Sequence, residues 1–281
     1  MIKVLKSGFY DTIQDLGRIG YQNYGVPISG VMDMYSAKQA NAILNNNLND
    51  AVLEITVIGP KLQFSADTTI CITGADISPK INSKDVKNNY IINVKKGDVL
   101  TFERLNYGIR CYLAVSGGLQ SQLIFGSRSM YKNITYTEKL KVNDELQILE
   151  PTNTFRKTNS TIKINTYHFS DKVIEVSKGP EFDLLTKQQK EILFSKEFLI
   201  SKDNNRMAFQ LQDVLENNLK PIITSLVLPG TVQLTPSGKL IILMKDCQTT
   251  GGYPRILQLK ESSINIMAQK STNHKIYFRL T

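Results

Sequence analysis

An apolar run, Leu240-Ile241-Ile242-Leu243-Met244, gives way abruptly to Lys245-Asp246-Cys247-Gln248-Thr249-Thr250-Gly251-Gly252-Tyr253-Pro254. The polar part is dense in groups that can bond a planar amide or a carboxylate. Asp246, Gln248, Thr249 and Thr250 offer acceptors and donors, and Gly251-Gly252 lets backbone amides approach a ligand with no Cβ in the way. Pro254 fixes its own φ and pushes Tyr253 toward extended geometry. The plainer reading is a polar hairpin turn after a buried strand. Two features weigh against it: the density of amide-bonding side chains, and a counterpart loop at Gly74-Ala75-Asp76.

Other chemistries find no support. There is no GxxxxGK[ST] phosphate loop, no GxGxxG after a strand and no GxSxG nucleophile elbow. His168 and His274 are the only histidines and lack ligand-spaced partners, so neither a His-based metal site nor a triad is expected. Acid–base work would fall on carboxylates, with Gln, Tyr and Arg as binding groups. The net charge of +9 raises nucleic-acid binding, but the only adjacent basic pairs are Lys95-Lys96 and Arg156-Lys157, with no interleaved aromatics. No nucleic-acid partner is expected.

The elements that must carry these groups come next. The 281 residues suit one large domain or two ordinary ones, with ordinary globular composition. No apolar run approaches the length of a membrane span, and Met1–Gly8 turns polar too quickly for a signal peptide. Cys71, Cys111 and Cys247 form an odd set without CxxC spacing, which reads as buried thiols in a reducing cytoplasm. Ile2–Gly8 alternates as a strand. Thr12–Tyr21 reads as a polar loop, and a helix is expected near Ser36–Leu44 with Ser36 as its cap. Strands are expected at Ala51–Val57, Leu62–Phe64, Thr69–Thr73, Val99–Phe102 and Arg110–Val115.

A repeat runs through these elements. Leu5-Lys6-Ser7-Gly8 matches Val176-Ser177-Lys178-Gly179 (179 − 8 = 171), and Leu44–Leu48 matches Leu215–Leu219 (215 − 44 = 171). Gly59 falls on Gly230 and Asp76 on Asp246 at nearly the same offset. The pattern predicts a duplication of β-rich halves, barrels or sandwiches, spanning 1–155 and 156–281 and joined through the linker-like Pro151–Ser160. Equivalent loops around Gly74–Asp76 and Asp246–Gln248 would then face one another across a cleft.

Three segments together resemble one family: Ile13-Gln14-Asp15-Leu16-Gly17-Arg18, Gly25–Asp33 and Asp246–Pro254. It is the biotin-dependent carboxyltransferase-like family, also called allophanate hydrolase subunit 2, which includes the KipA antagonist and the C subunit of 5-oxoprolinase. Leu53-Glu54, Gly74–Asp76, Tyr112–Gly118, Gly126–Ser129, Gly179-Pro180 and Asn205–Met207 extend the likeness along the whole chain. Ala208 departs from it, since the family usually has Gly after Arg-Met. The resemblance implies a mainly β fold with a few short helices, built as two cyclophilin-like β-barrel halves. It also implies partners in the ATP-dependent opening of 5-oxo-L-proline to glutamate. These are the A and B subunits of 5-oxoprolinase, the second of them a KipI-like protein. ATP would enter through the complex, biotin is the alternative cofactor, and the protein would be cytoplasmic with no membrane partner.

On that resemblance, roles follow for particular residues. Arg18, Arg128 and Arg206 are candidates for anion binding, each serving equally well in a structural ion pair. Gln14 and Gln248 suit a planar amide. Asp15 and Asp33 could act as base or orient water, though Asp15, standing before Leu-Gly-Arg, could equally cap a turn. Ser29, Gly30, Gly251 and Gly252 are expected as backbone-amide donors, and Tyr253 either closes over the substrate or packs beside Pro254. Three functions compete: part of a 5-oxoprolinase working on a cyclic amide; carboxyl transfer from carboxybiotin to urea or another small amide; and a non-catalytic KipA-like antagonist of a KipI-type kinase inhibitor.

Overall fold

The apolar runs read from the sequence become the strands of two separate units in the structure, a computed structural model that describes residues 1–149 and 166–281. The Pro151–Ser160 segment and the expected boundary between 155 and 156 lie outside the described residues. The first unit comprises Met1–Gly17 and Asp33–Thr166; the second comprises Arg18–Met32 and Tyr167–Thr281. Among the described residues the chain is mainly β with four short α-helices.

In the first unit the strands form two sheets. One is six-stranded, in the order Glu145–Leu146, Ile2–Lys6, Lys61–Phe64, Val99–Phe102, Pro79–Ile81, Lys84–Asp85. The other is five-stranded, in the order Tyr10–Gln14, Val52–Thr56, Tyr107–Val115, Thr68–Asp76, Ile92–Val94. Val52–Thr56 and most of Thr68–Asp76 are buried along their length, as continuous apolar runs require. Ile2, Leu53, Ile70, Leu113 and their neighbours make the core.

Three local expectations change here. Thr12–Gln14 belongs to a strand, pairing Thr12 with Glu54 and Gln14 with Val52. Its buried polar residues Asp11, Thr12 and Gln14 hide the alternation that would mark it. The helix runs Met34–Ile43, and Asp33 caps it instead of Ser36, accepting from the Ser36 N–H at 3.0 Å and the Ser36 hydroxyl at 2.6 Å. Gly74–Asp76 is the bulged end of a strand, not a loop. Gly74 sits at φ 81°, and a Cβ there would meet the Arg110 carbonyl at 2.5 Å.

The second unit holds a closed seven-stranded barrel, in the order Val173–Lys178, Arg255–Leu259, Thr231–Leu234, Lys239–Leu243, Ala208–Val214, Phe198–Asn204, Lys275–Leu280. Its ends meet through one parallel pairing that sets Ile174 beside Phe278; the other ladders are antiparallel. Lys275–Leu280 alternates, turning Ile276 and Phe278 into the core. Met32, at the end of Arg18–Met32, belongs to that same core. Ala208 opens a strand and stays out of the left-handed region, so its Cβ is accommodated.

The repeat offset survives in strand positions. Ile2–Lys6 and Val173–Lys178 begin 173 − 2 = 171 apart, and Lys61–Phe64 lies 231 − 61 = 170 from Thr231–Leu234. Pairing does not follow it. Lys61–Phe64 pairs with Ile2–Lys6, whereas Thr231–Leu234 pairs with Lys239–Leu243. Helix Met34–Ile43, moved by 171, lands on the strand Ala208–Val214.

Candidate functional site

Asp15 ends the strand Tyr10–Gln14 as a fully engaged carboxylate. Its Oδ1 accepts from the Gly17 N–H at 2.9 Å, the Ser127 hydroxyl at 2.6 Å and the Ser129 hydroxyl at 2.7 Å. Its Oδ2 accepts from the Arg128 N–H at 2.6 Å. These bonds fix the Gly126–Ser129 turn, and with it Arg128, whose guanidinium donates to the Ser121 carbonyl and to Gln120 Oε1 at 3.0 Å. Asp15, Arg128, Asn49, Asp50 and Gln120 line a polar cavity of about 210 Å³. Two expected site residues therefore meet in one cavity of this unit.

Gln14 is wholly buried. Its Nε2 donates to Thr12 Oγ1 at 3.0 Å and to the Met130 carbonyl at 3.1 Å, while its Oε1 accepts nothing. Asp33, besides capping the helix, donates its N–H to the Tyr112 hydroxyl at 2.8 Å. That hydroxyl in turn donates to Glu54 Oε2 at 2.9 Å. Burial, then the neighbouring Glu54 and Asp33 charges, push the Tyr112 phenol well above its usual range, which keeps it a donor. Glu54, Arg110 and Tyr112 form a buried polar group on two neighbouring strands, Val52–Thr56 and Tyr107–Val115. Only Leu53-Glu54 and the Tyr112–Gly118 run hinted at it in the sequence.

In the second unit, Arg206 and Asp246 form a buried forked pair. Arg206 Nε meets Asp246 Oδ2 at 2.7 Å, and Nη2 meets Oδ1 at 3.1 Å and the Gly30 carbonyl at 2.7 Å. Ser29 and Gly30 both adopt left-handed backbone, at φ 56° and 86°. The Ser29 N–H donates to the Lys245 carbonyl at 2.9 Å, so it is not a free donor for a ligand. Its hydroxyl is buried and makes no hydrogen bond. Arg18 is wholly buried, its N–H donating to the Ile28 carbonyl at 2.6 Å.

The Gln248–Tyr253 stretch is a clasp. Thr250–Gly251 pairs with Ser225–Leu226, and flanking bonds run from the Val227 N–H to the Thr249 carbonyl at 3.1 Å and from the Ile222 N–H to the Gly252 carbonyl at 2.9 Å. Gln248 is half-buried, and its side chain makes no hydrogen bond among the described residues. Tyr253 stands 40% exposed. Beneath the clasp lies Gln233, which no sequence motif singles out. It is the lone amide in the strand Thr231–Leu234, and a polar residue amid Val232 and Leu234 is the signal that could have found it. Cys247 is buried and free like Cys71 and Cys111; burial pushes its thiol up to about 12. A cavity of about 1030 Å³ lies against helix Lys187–Ser195 and residues 214–219 and holds none of the expected residues.

Similarity to known proteins converges on one group. Residues 24–280 match the model of the carboxyltransferase domain, subdomain A and B. The 5-oxoprolinase C subunit from Escherichia coli (strain K12) is 30% identical over 99% of this chain and 90% of its own length. The protein of the same name from Haemophilus influenzae gives the same identity and coverage. A solved structure of the K. lactis urea amidolyase is 28% identical with a TM-score of 0.85, covering 99% of this chain but 18% of that one.

Proposed function

We propose a function from one premise: the chain belongs to the carboxyltransferase domain family, subdomains A and B. Within it, the chain is the C subunit of an ATP-dependent 5-oxoprolinase complex that converts 5-oxo-L-proline to L-glutamate. The observation that carries this reading is 30% identity to the E. coli 5-oxoprolinase C subunit, over nearly the full length of both chains. On this reading its partners are the A and B subunits of that complex, the second of them KipI-like.

The expected residues divide by how fully they are bonded. Asp15 and Asp33 act by positioning, since their oxygens already receive the donors of the Gly126–Ser129 turn and of the helix start. Gln248 is the side chain left to meet a planar amide. Arg206 is neutralised by Asp246 and Arg128 is turned onto Ser121 and Gln120, a poor fit to a nucleotide's phosphates. We therefore assign ATP to the partner subunits and route no step through it here.

The test is reconstitution. The A and B subunits, co-expressed with this chain, should hydrolyse ATP only when 5-oxo-L-proline is present. Equal turnover without this chain would refute the proposal. A second reading, carboxyl transfer to a small amide in the manner of urea amidolyase, is favoured by the K. lactis likeness. Turnover with urea and a biotinylated carrier, but none with 5-oxo-L-proline, would replace the first reading with the second.

A further inference from the structure

Gln233 is a buried amide whose hydrogen bonds are not met. It is 2% exposed, and its Nε2 is shielded from solvent with no partner. No other hydrogen bond of its side chain exists among the described residues. Leaving a carboxamide donor unbonded in a protein interior is costly, so such groups ask for a reason. The strand positions it firmly: Gln233 pairs with Ile241 on one side and Arg255 on the other. The next residue, Leu234, donates its N–H to the Pro254 carbonyl at 3.0 Å, which draws the clasp across this strand.

The clasp is shaped around that amide. A Cβ on Gly251 would lie 2.4 Å from Gln233 Nε2, so only glycine leaves the carboxamide its place. At the next residue the fit is looser, since a Cβ on Gly252 would meet the Ile222 carbonyl at 3.6 Å, an ordinary contact. Gln248, three residues before Gly251, carries the second carboxamide without a partner. The ladder holding the clasp down is two residues long on each side. Its outer face bears Leu226, an exposed apolar side chain.

We propose that Gln233, under the Gly251–Gly252 clasp, is a recognition residue for the cis-amide edge of a lactam or urea. A carboxamide presents one N–H and one C=O side by side, and a cis-amide presents the complementary pair; two parallel hydrogen bonds form only when both are present. Amides locked in the trans form cannot offer both groups on one edge. Gln248 supplies the remaining donor or acceptor from above. This inference rests on the proposed amide-directed function and names the edge that the site reads. Lactam, urea and the ureido ring of biotin share that edge, so the chemistry is common and the source is for the experiment to decide.

The test uses the full chain and side-chain amide NMR. 5-Oxo-L-proline, 2-pyrrolidinone, urea, biotin and N-methyl-2-pyrrolidinone are each titrated. The Gln233 NH₂ signal is assigned by its loss in Gln233→Met. At least one cis-amide probe should shift that signal, and the one that does so at lowest concentration identifies the source. N-methyl-2-pyrrolidinone keeps the carbonyl that could accept from Nε2 but has no N–H for Oε1, so it should shift the signal far less. Gln233→Met should weaken binding of the active probe by about tenfold or more while its unfolding midpoint stays level or rises, because an unmet buried donor has been removed. A purely structural Gln233 gives the opposite pattern, a lower midpoint with binding intact. No shift from any probe, an equal shift from the N-methyl compound, or unweakened binding in Gln233→Met would each overturn the inference. Should Gln233→Met not fold, the same signal is assigned by its through-space contact with Gly251, and the titration of the parent chain still decides the matter. In the complex, oxoproline turnover untouched by Gln233→Met overturns this inference and leaves the proposed function standing. Absent turnover in the parent complex, with pyrrolidinone still shifting Gln233, does the reverse.

Discussion

Replacing Asp11 by Asn should stabilise the first unit, by an amount that grows with pH. Asp11 lies on the strand Tyr10–Gln14 at 2% exposure. Its Oδ2 accepts from the Gly8 N–H at 2.6 Å, while its Oδ1 is buried without a partner. Burial pushes the carboxyl up from 3.8 to about 7, outweighing the Gly8 hydrogen bond and the more distant Lys139 charge. A carboxyl raised in the folded state favours folding while both states are protonated, so stability is highest below about pH 3.8. It falls as pH climbs through the window from 3.8 to about 7. The full loss corresponds to about 4 kcal/mol, a ceiling that relaxation around the site reduces to about 3. Asn keeps an acceptor for Gly8 and never ionises. The variant should match the parent near pH 4 and exceed it by about 3 kcal/mol at pH 8. Urea unfolding of both proteins from pH 4 to pH 8.5 measures the difference, and hydrogen exchange along Tyr10–Gln14 localises it. A difference that stays flat across that range, or a variant weaker at pH 8, would refute the reasoning. Lys139→Met should steepen the parent's decline, since it removes a charge that lowers the Asp11 value.

Two further substitutions separate building from acting. Asp15→Ala strips the acceptor from four donors and should cost on the order of 3–5 kcal/mol, with amide protection lost at Ser127–Ser129 in hydrogen exchange. Loss of turnover with that protection intact would instead give Asp15 a direct chemical role. Arg206→Met leaves Asp246 as a buried uncompensated charge and should destabilise the barrel by about 3–5 kcal/mol, while the double variant Arg206→Met/Asp246→Leu should recover most of that. A double variant no more stable than the single one, by thermal unfolding, would count against the pair being mainly structural.

What the sequence revealed depended on whether the cue was local. Val99–Phe102 was legible to the residue, and Leu62–Phe64 nearly so, because short apolar runs between turn residues leave little choice of register. Tyr10–Gln14 was not, since it is buried on both faces and carries Asp11, Thr12 and Gln14 there, so the apolar alternation disappears. The Asp33 cap was missed because Ser36 satisfies the same local rule; which side chain bonds which N–H depends on where the helix starts. The grouping of Arg18–Met32 with the barrel is set by Met32 entering a core more than a hundred residues away, which no window can register.

The candidate site shows the same division more sharply. Motif likeness picked out Asp15, Asp33, Arg206 and Gln248 together, because it weighs residue type and not bonding state. Once hydrogen bonds are counted, these residues separate. The carboxylates are saturated by backbone and hydroxyl donors, Arg206 is held by Asp246, and Gln248 alone among the four keeps its side chain unbonded among the described residues. Unmet capacity remains at Gln248, Gln233 and the Ser29 hydroxyl, as it does at Gln14 Oε1 and Asp11 Oδ1, and all of these but Gln248 are buried where an unmet group is costly. A fold selected only for stability would have replaced Gln233 with an apolar residue of similar size. Beneath Gly251, where a Cβ would crowd its carboxamide at 2.4 Å, Gln233 keeps a donor that the proposed occupant would complete, and any stabilising replacement at position 233 is a test of what that occupant is.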